Sequence, residues 1–492
     1  MRNFISSIIT VCILCGVALS PSCGSTENNT ETTAAASGET TTTAAEDAYQ
    51  HPDVDYEGAE FRILNLEALW DMFIHIDRAE INGEVLNDAV YNRNRKLEQQ
   101  MNFVVNEITQ PEDMAHADLI SLATNSILAG DDMYDIMFLP VNTNLSIVTD
   151  GYLVDLNSLP QLNLDETWWD TEINKQITLH DKLYMASGAM NLMAYEGTWC
   201  LYFNENMIED LQLELPYDLV REGNWTIDRL SEYAKAAASL NGDDSFAYKK
   251  DGSATWGIAA HSNAPQKFLF CAGESSVDFD ENDDPVFNYG SERFYNVISK
   301  LAVLLSGDDG QTLEANTDDF NAELGGYLHV FSTGRSLFVT GEIKAAQTLR
   351  DMTDTFGIIP FPKYDESQED YVTDLVLQLF YLTIPITNQR LDMTATIVEA
   401  MTHDSFTDVV PVYYEQTVEQ KGLRNDESIE MLEIMRQTRT VDPGVVFGWT
   451  NTLNDTIRVK LFAGDANVAS DIESAKTSIE TNIDKFLEFL EE

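Results

Sequence analysis

The chain carries 83 aspartates and glutamates against 29 lysines and arginines, a formal net charge of −54 at pH 7. Carboxylates at that density place acid pairs close together by chance, so spacing alone identifies no pair suited to glycoside hydrolysis. The densest run, Asp278-Phe279-Asp280-Glu281-Asn282-Asp283-Asp284, invites comparison with a calcium loop. It fails at the two positions that matter: Asp283 stands where the EF-hand turn needs glycine, and Tyr289 where it needs a bidentate glutamate. A solvated loop is the expectation there. The seven histidines are scattered, without HExxH or paired spacing, so no metal site is expected. No GxSxG, Walker A loop or GxGxxG occurs. These motifs assign no catalytic residue, cofactor or metal, and an enzyme is not expected. The acidic surface also excludes nucleic acid, whose phosphates it repels.

The N-terminus dictates location. Arg2 precedes the apolar run Phe4 to Leu19, which is shorter than the roughly 20 residues of a spanning helix and reads as a signal peptide over 1–22. Leu19-Ser20-Pro21-Ser22-Cys23-Gly24 resembles a bacterial lipobox, with Ser20 where leucine is usual and Leu19 one place early. Acylation of Cys23 would supply the membrane hold that an acidic surface cannot. Residues 23–48 are mostly Ser, Thr, Glu, Ala and Asn without a large apolar side chain, a tether spanning roughly 25–30 Å as a random coil. Of the five cysteines, Cys12 and Cys15 fall in the signal peptide. Whether Cys200 and Cys271 pair or stay as thiols is left open by spacing.

Length and apolar content (492 residues, 44% hydrophobic) predict more than one domain with real cores. Strands are expected at 61–66, 103–105 and 134–139, alternating with helices over 84–101 and 115–129. That alternation is the pattern of a doubly wound α/β layer. It returns more loosely: strands at 183–186 and 198–203, a helix over 226–240 opened by Thr226, helices near 291–306 and 317–333, and strands at 336–340, 357–360 and 375–384. The last hundred residues are mostly helical in pattern.

Six segments in order then resemble the extracellular solute-binding proteins of ABC transporters, the family-one type that includes maltose-binding proteins. They are Tyr134-Asp135-Ile136 with Gly151-Tyr152-Leu153-Val154-Asp155-Leu156; His180-Asp181-Lys182-Leu183-Tyr184, with His-Asp in place of the family's glycine; Phe203-Asn204-Glu205-Asn206-Met207; Gly223-Asn224-Trp225-Thr226-Ile227-Asp228; Phe331-Ser332-Thr333-Gly334-Arg335-Ser336-Leu337-Phe338; and Phe356-Gly357-Ile358-Ile359-Pro360-Phe361-Pro362. The resemblance implies a two-lobed α/β fold of the type II periplasmic-binding-protein class, each lobe a mixed sheet flanked by helices, joined by crossover strands. Lobe one would comprise 49–170 and 370–420, lobe two 171–369 and 421–492.

The same resemblance implies a substrate-binding lipoprotein of an ABC importer. It would capture a small solute, a carbohydrate, in the interlobe cleft and deliver it to a membrane permease. The protein would be a monomer without cofactor, anchored to the outer face of the cytoplasmic membrane through Cys23. A sugar offers an apolar C–H face to a flat aromatic and a hydroxyl rim to amides and charges. Trp70 follows the first strand, where such a sheet opens its cleft. Asn142 and Asn144 follow the strand ending at Leu139, and Trp199 follows Glu196-Gly197 at the second lobe's edge. Arg350 and Gln378 flank the crossovers, and Trp449 lies where relatives supply a stacking ring. These seven are the expected ligand contacts, whereas Trp225 is expected to pack and Trp168-Trp169 to cap the lobe junction. The alternatives are an exported polysaccharide-acting enzyme or a polymer-binding surface protein.

Overall fold

The computed structural model describes residues 49–70, 72–316, 326–420 and 426–491. The expected signal peptide, Cys23, the expected tether and the segment 317–325 expected to open a helix lie outside the described residues. Among the described residues, eleven strands form two main sheets and a hairpin. The first sheet has the order β11-β3-β1-β2, from β1 (Ala59–Leu66), β2 (Phe103–Gln110), β3 (Ile136–Leu139) and β11 (Tyr381–Thr383). The second has the order β10-β4-β9-β5-β8, from β4 (Trp199–Asn204), β5 (Trp256–Ala260), β8 (Thr312–Glu314), β9 (Ser336–Glu342) and β10 (Phe356–Ile359). The hairpin pairs β6 (Val277–Phe279) with β7 (Pro285–Phe287).

Each sheet is mixed. β1 runs parallel to β2 and β3, while β11 runs antiparallel to β3. β5 runs parallel to β8 and β9, while β4 is antiparallel to both β9 and β10. Strands covered on both faces read as continuous apolar runs, and Ile136-Met137-Phe138-Leu139 and Trp256-Gly257-Ile258-Ala259-Ala260 are buried throughout.

Ten helices of eight residues or more occur among the described residues: α1 (Val85–Met101), α2 (His116–Leu128), α3 (Ile227–Ala237), α4 (Ala264–Cys271), α5 (Glu292–Leu305), α6 (Leu391–Asp404), α7 (Val410–Gln420), α8 (Asp426–Gln437), α9 (Asn451–Phe462) and α10 (Ala469–Glu491). Their starts follow from local chemistry. The Glu84 carboxylate accepts from the amides of Leu86 and Asn87 at the head of α1, and Ser291 Oγ accepts from Phe294 at the head of α5. Thr226 caps α3, which buries Ile227, Leu230, Tyr233, Ala234 and Ala237. That face lies directly on β5: a Cβ at Gly257 would stand 2.4 Å from the Ala234 Cβ, so only glycine allows the approach.

The two lobes are joined where crossover segments touch through single bridges, Thr198 with Leu375, Ala186 with Leu382 and Thr373 with Arg439. Here the sequence reading needs correction. Residues 183–186 form no strand, and of 375–384 only Tyr381–Thr383 does, because these passages run between sheets and find partners one residue at a time. Strands β5 and β8 and helix α4 were absent from that reading. The acidic run 278–284 is part of the β6–β7 hairpin, where Asp280 Oδ1 accepts from the amides of Asn282 and Asp284.

Other expectations meet plain outcomes. Trp225 is fully buried and donates from Nε1 to the Pro360 carbonyl at 3.1 Å. Trp168 and Trp169 both donate from Nε1 to the Glu399 carboxylate, at 2.9 and 3.1 Å. Cys200 and Cys271 are buried free thiols. No helix among the described residues is long and apolar enough to cross a membrane.

Candidate functional site

The site begins at strand ends. In open α/β sheets the backbone turns away beyond the carboxyl ends of parallel strands and leaves a crevice. Here the crevice takes residues from both lobes. Past β1 comes Trp70, and past β3 comes Asn142. Past β5 come His261, Asn263 and Gln266, past β8 comes Asn316, and at the end of β9 stand Glu342 and Lys344. Because β4 is antiparallel to β9, its first residue, Trp199, pairs with Glu342 at the same edge. Gln378 arrives on the crossover before β11, Tyr327 from the short helix Gly326–Ser332, and Asn451, Asn454 and Asp455 from the first turn of α9. Together they wall a cavity of about 830 Å³.

The walls are aromatic and amide-rich. Trp199 meets His261 edge-on, with ring centroids 5.1 Å apart, and His261 meets Tyr327 in the same way at 5.2 Å. Opposite, Trp70 is 45% exposed and leans on His116, whose ring is held in turn by Phe380. Trp70 sits in a left-handed turn, φ 49°, bridged by Leu69 and Met72. A bulky residue in that region is a local strain that surroundings must enforce. Its carbonyl accepts from the Lys344 ammonium of the other lobe. Phe73 makes a second tie, donating its amide to Glu196 at 2.6 Å.

Behind the wall, Lys267 is fully buried, paired with Asp374 at 2.7 Å and set 5.5 Å from the Trp199 ring. Burial, with Lys267 and Arg458 adding to it, depresses the His261 pKa to about 4. The ring is therefore neutral at physiological pH. Its Nδ1 accepts from the Asn263 amide at 3.0 Å, which leaves Nε2–H as its donor. Burial raises the Glu342 carboxyl above the usual range. Three buried polar atoms of lining residues lack a protein hydrogen-bond partner among the described residues: Asn142 Oδ1, Trp199 Nε1 and Gln266 Oε1. Asn142 is fixed by its other atom, Nδ2, which donates to the Leu377 carbonyl at 2.5 Å. Buried polar groups without partners are rare enough to require an explanation.

Of the seven residues expected from sequence, the fold gathers Trp70, Asn142, Trp199 and Gln378 around this cavity. The other three are not among its lining residues. Asn144 is exposed and accepts from the Ser146 amide in a turn. Arg350 is exposed beside Asp351. Trp449 is 6% exposed and stacks on Phe447 at 4.8 Å, with Phe486 of α10 edge-on behind it. Sequence reasoning missed His261, Asn263, Gln266, Tyr327, Glu342 and Lys344. The signal for the first three was present: a short apolar run, Trp256 to Ala260, then polar residues, then Pro265 in the first turn of α4.

No family model matches the sequence, and no curated protein matches it. Solved structures do match. The galacto-N-biose/lacto-N-biose I-binding protein of an ABC transporter from Bifidobacterium longum, in complex with lacto-N-biose, superposes with a TM-score of 0.57 at 12% identity, covering 88% of this chain and 98% of that one. A sugar transporter protein from Rhizobium etli in an open conformation gives 0.57 at 12% identity, over 86% and 99%. A cyclo/maltodextrin-binding protein complexed with maltotetraose gives 0.53 at 13% identity, over 90% and 98%. Likeness at this identity defines the fold. It is the two-lobed, type II periplasmic-binding-protein-like architecture.

Proposed function

We propose that this chain is the substrate-binding lipoprotein of an ABC importer, taking an uncharged oligosaccharide into the cleft between its lobes and passing it to a permease unaltered. The carrying observation is the lining itself. Two tryptophans, a tyrosine and seven side-chain amides converge at strand ends, with Asn142 Oδ1, Trp199 Nε1 and Gln266 Oε1 buried and unpartnered there. Flat rings suit the C–H face of a pyranose, and amides supply donor and acceptor to neighbouring hydroxyls without a net charge to neutralise. A cavity of about 830 Å³ lies within the roughly 300–1,000 Å³ of small-molecule sites.

In this reading Trp70, Asn142, Trp199 and Gln378 contact the sugar. The lobes comprise 49–170 with 370–420, and 171–369 with 421–492. Acylated Cys23 and the tether hold the protein at the outer face of the cytoplasmic membrane. Closure requires the ligand to bind the closed form more tightly than the open one. The test is a thermal-shift screen of the purified protein against oligosaccharides, peptides and polyamines, with chromatography of each incubated sugar. Stabilisation by a sugar recovered intact is expected. Stabilisation only by peptides or polyamines, or appearance of a cleaved sugar, would refute the reading.

A further inference from the structure

Away from the cleft, three potential metal ligands that the sequence scatters are brought together. Asp404, the last residue of α6, is buried to 1% exposure. Its Oδ1 lies 2.8 Å from Nε2 of His51 and 2.9 Å from Nδ1 of His403. His51 stands 353 positions earlier in the sequence. These three atoms lie within 4.8 Å of one another. Two of them are held from behind. Nδ1 of His51 is 2.9 Å from Gln100 Oε1, and the second Asp404 oxygen is 2.9 Å from the Lys96 ammonium. Trp168 closes one side, edge-on to His403 with centroids 5.0 Å apart.

This arrangement has a consequence for His51. Its Nε2 and Nδ1 of His403 both face the one oxygen Asp404 Oδ1, at 2.8 and 2.9 Å. A proton on each ring nitrogen fills these contacts as hydrogen bonds; one metal ion shared by the three donors fills them as well. We propose that His51 Nε2, His403 Nδ1 and Asp404 Oδ1 form a binding site for one borderline divalent cation of the zinc class, fastening the start of the folded body to the end of α6.

The donor set decides the class of ion. Two imidazoles and one carboxylate suit Zn²⁺ or Co²⁺, whereas Ca²⁺ and Mg²⁺ require oxygen ligands. Metal–ligand bonds of about 2.0–2.1 Å in a tetrahedron separate the donors by roughly 3.3 Å. The present separations of 2.8 and 2.9 Å would open by about half an ångström, within the reach of side-chain rotation. Gln100 and Lys96 occupy the places of outer partners that orient a ligating imidazole and carboxylate. Lys96 also brings a competing positive charge, shared with Asp408 at 3.1 Å, so affinity in the micromolar range is expected rather than the far tighter binding of closed thiolate sites. The proposal is independent of the carbohydrate reading, because none of these residues lines the cleft cavity.

The test uses the untagged protein, stripped with a chelator and titrated with Zn²⁺ alone by calorimetry, and with Co²⁺ followed by visible absorption. One ion per chain, a raised unfolding temperature and a Co²⁺ spectrum of low coordination number are expected. His51→Ala and His403→Ala should each weaken binding by about tenfold or more, with the metal-free fold unchanged by circular dichroism. If either alanine variant fails to fold, His51→Gln or His403→Gln serves instead, keeping a polar group beside Asp404. Absence of binding at millimolar Zn²⁺, or binding of equal strength in both variants, would overturn the proposal.

Discussion

Trp70 offers a sharp test of the cleft, because its ring adds little to the folded core while facing the cavity. With 45% exposure, it presents about 110 Å² of a side chain that buries up to about 250 Å². If a bound sugar covers between half and all of that area, the loss at about 25 cal/mol/Å² is about 1.4–2.8 kcal/mol. That corresponds to roughly a 10- to 100-fold rise in Kd for Trp70→Ala. The backbone provides an internal control. At φ 49° both Trp and Ala sit in the left-handed region, so the substitution should leave the unfolding temperature nearly unchanged. Trp70→Gly, by contrast, should relieve about 1 kcal/mol of strain while losing the same affinity. Calorimetric titration of the wild type and both variants with the best oligosaccharide reads these outcomes. A Kd within twofold of wild type in both variants would refute the placement of Trp70 against the ligand.

Three further outcomes follow from the same geometry. Trp225→Ala empties a fully buried site and forfeits the bond to Pro360, so urea denaturation should show a loss of about 3–5 kcal/mol with sugar affinity preserved in the folded fraction. Asp170→Ala removes the partner of Arg439, a buried guanidinium 4.3 Å from the Tyr195 ring at the crossovers; a cost of about 3–5 kcal/mol is expected, with substantial recovery in Asp170→Ala/Arg439→Met. His261 titrates near 4 when folded and about 6.5 when unfolded, so its stabilisation is complete above pH 6.5 and fades as pH falls toward 4. His261→Asn should abolish up to about 3 kcal/mol of the difference between stabilities at pH 7 and pH 4, measured by denaturant titration.

The first lobe was readable because its signals are local. α1 opens with a carboxylate cap, closes at Asn102 in the left-handed conformation and buries Leu86, Val90, Leu97 and Met101 at helical spacing. Strand β1 follows the Glu57-Gly58 turn. The second lobe was harder. β5 is a five-residue run with Gly257 at its centre, and β8 is a three-residue edge strand whose place depends on pairing with β5 rather than on its own pattern. Missing β5 and β8 meant missing the residues displayed at their ends, His261, Asn263, Gln266 and Asn316 of the cavity wall. Trp449 shows the opposite failure. Its type suggested a ligand contact, but Phe447 and Phe486 claim it for the core, a choice made by helix α10 far along the chain. His51, His403 and Asp404 were invisible as a cluster for the same reason: spacing in sequence cannot report a contact across 353 positions.

The charge of the chain and the character of the cleft point in different directions, and the difference is informative. A net charge of −54 would suggest a cationic ligand if the whole surface governed recognition. The cavity is built otherwise. Its ionisable lining residues are His261, Glu342, Lys344 and Asp455; His261 is neutral, Lys344 is tied to the Trp70 carbonyl, and Glu342 is pushed toward its uncharged form by burial. Seven amides outnumber them: Asn142, Asn263, Gln266, Asn316, Gln378, Asn451 and Asn454. A charged ligand entering such a lining would surrender hydration and meet only Lys344 and Asp455 as counter-ions, whereas a polyol exchanges hydroxyl–water bonds for hydroxyl–amide bonds at little net cost. In the proposed reading, long-range charge thus acts on which large partners approach the protein, and the short-range chemistry of the strand ends acts on which small molecule stays.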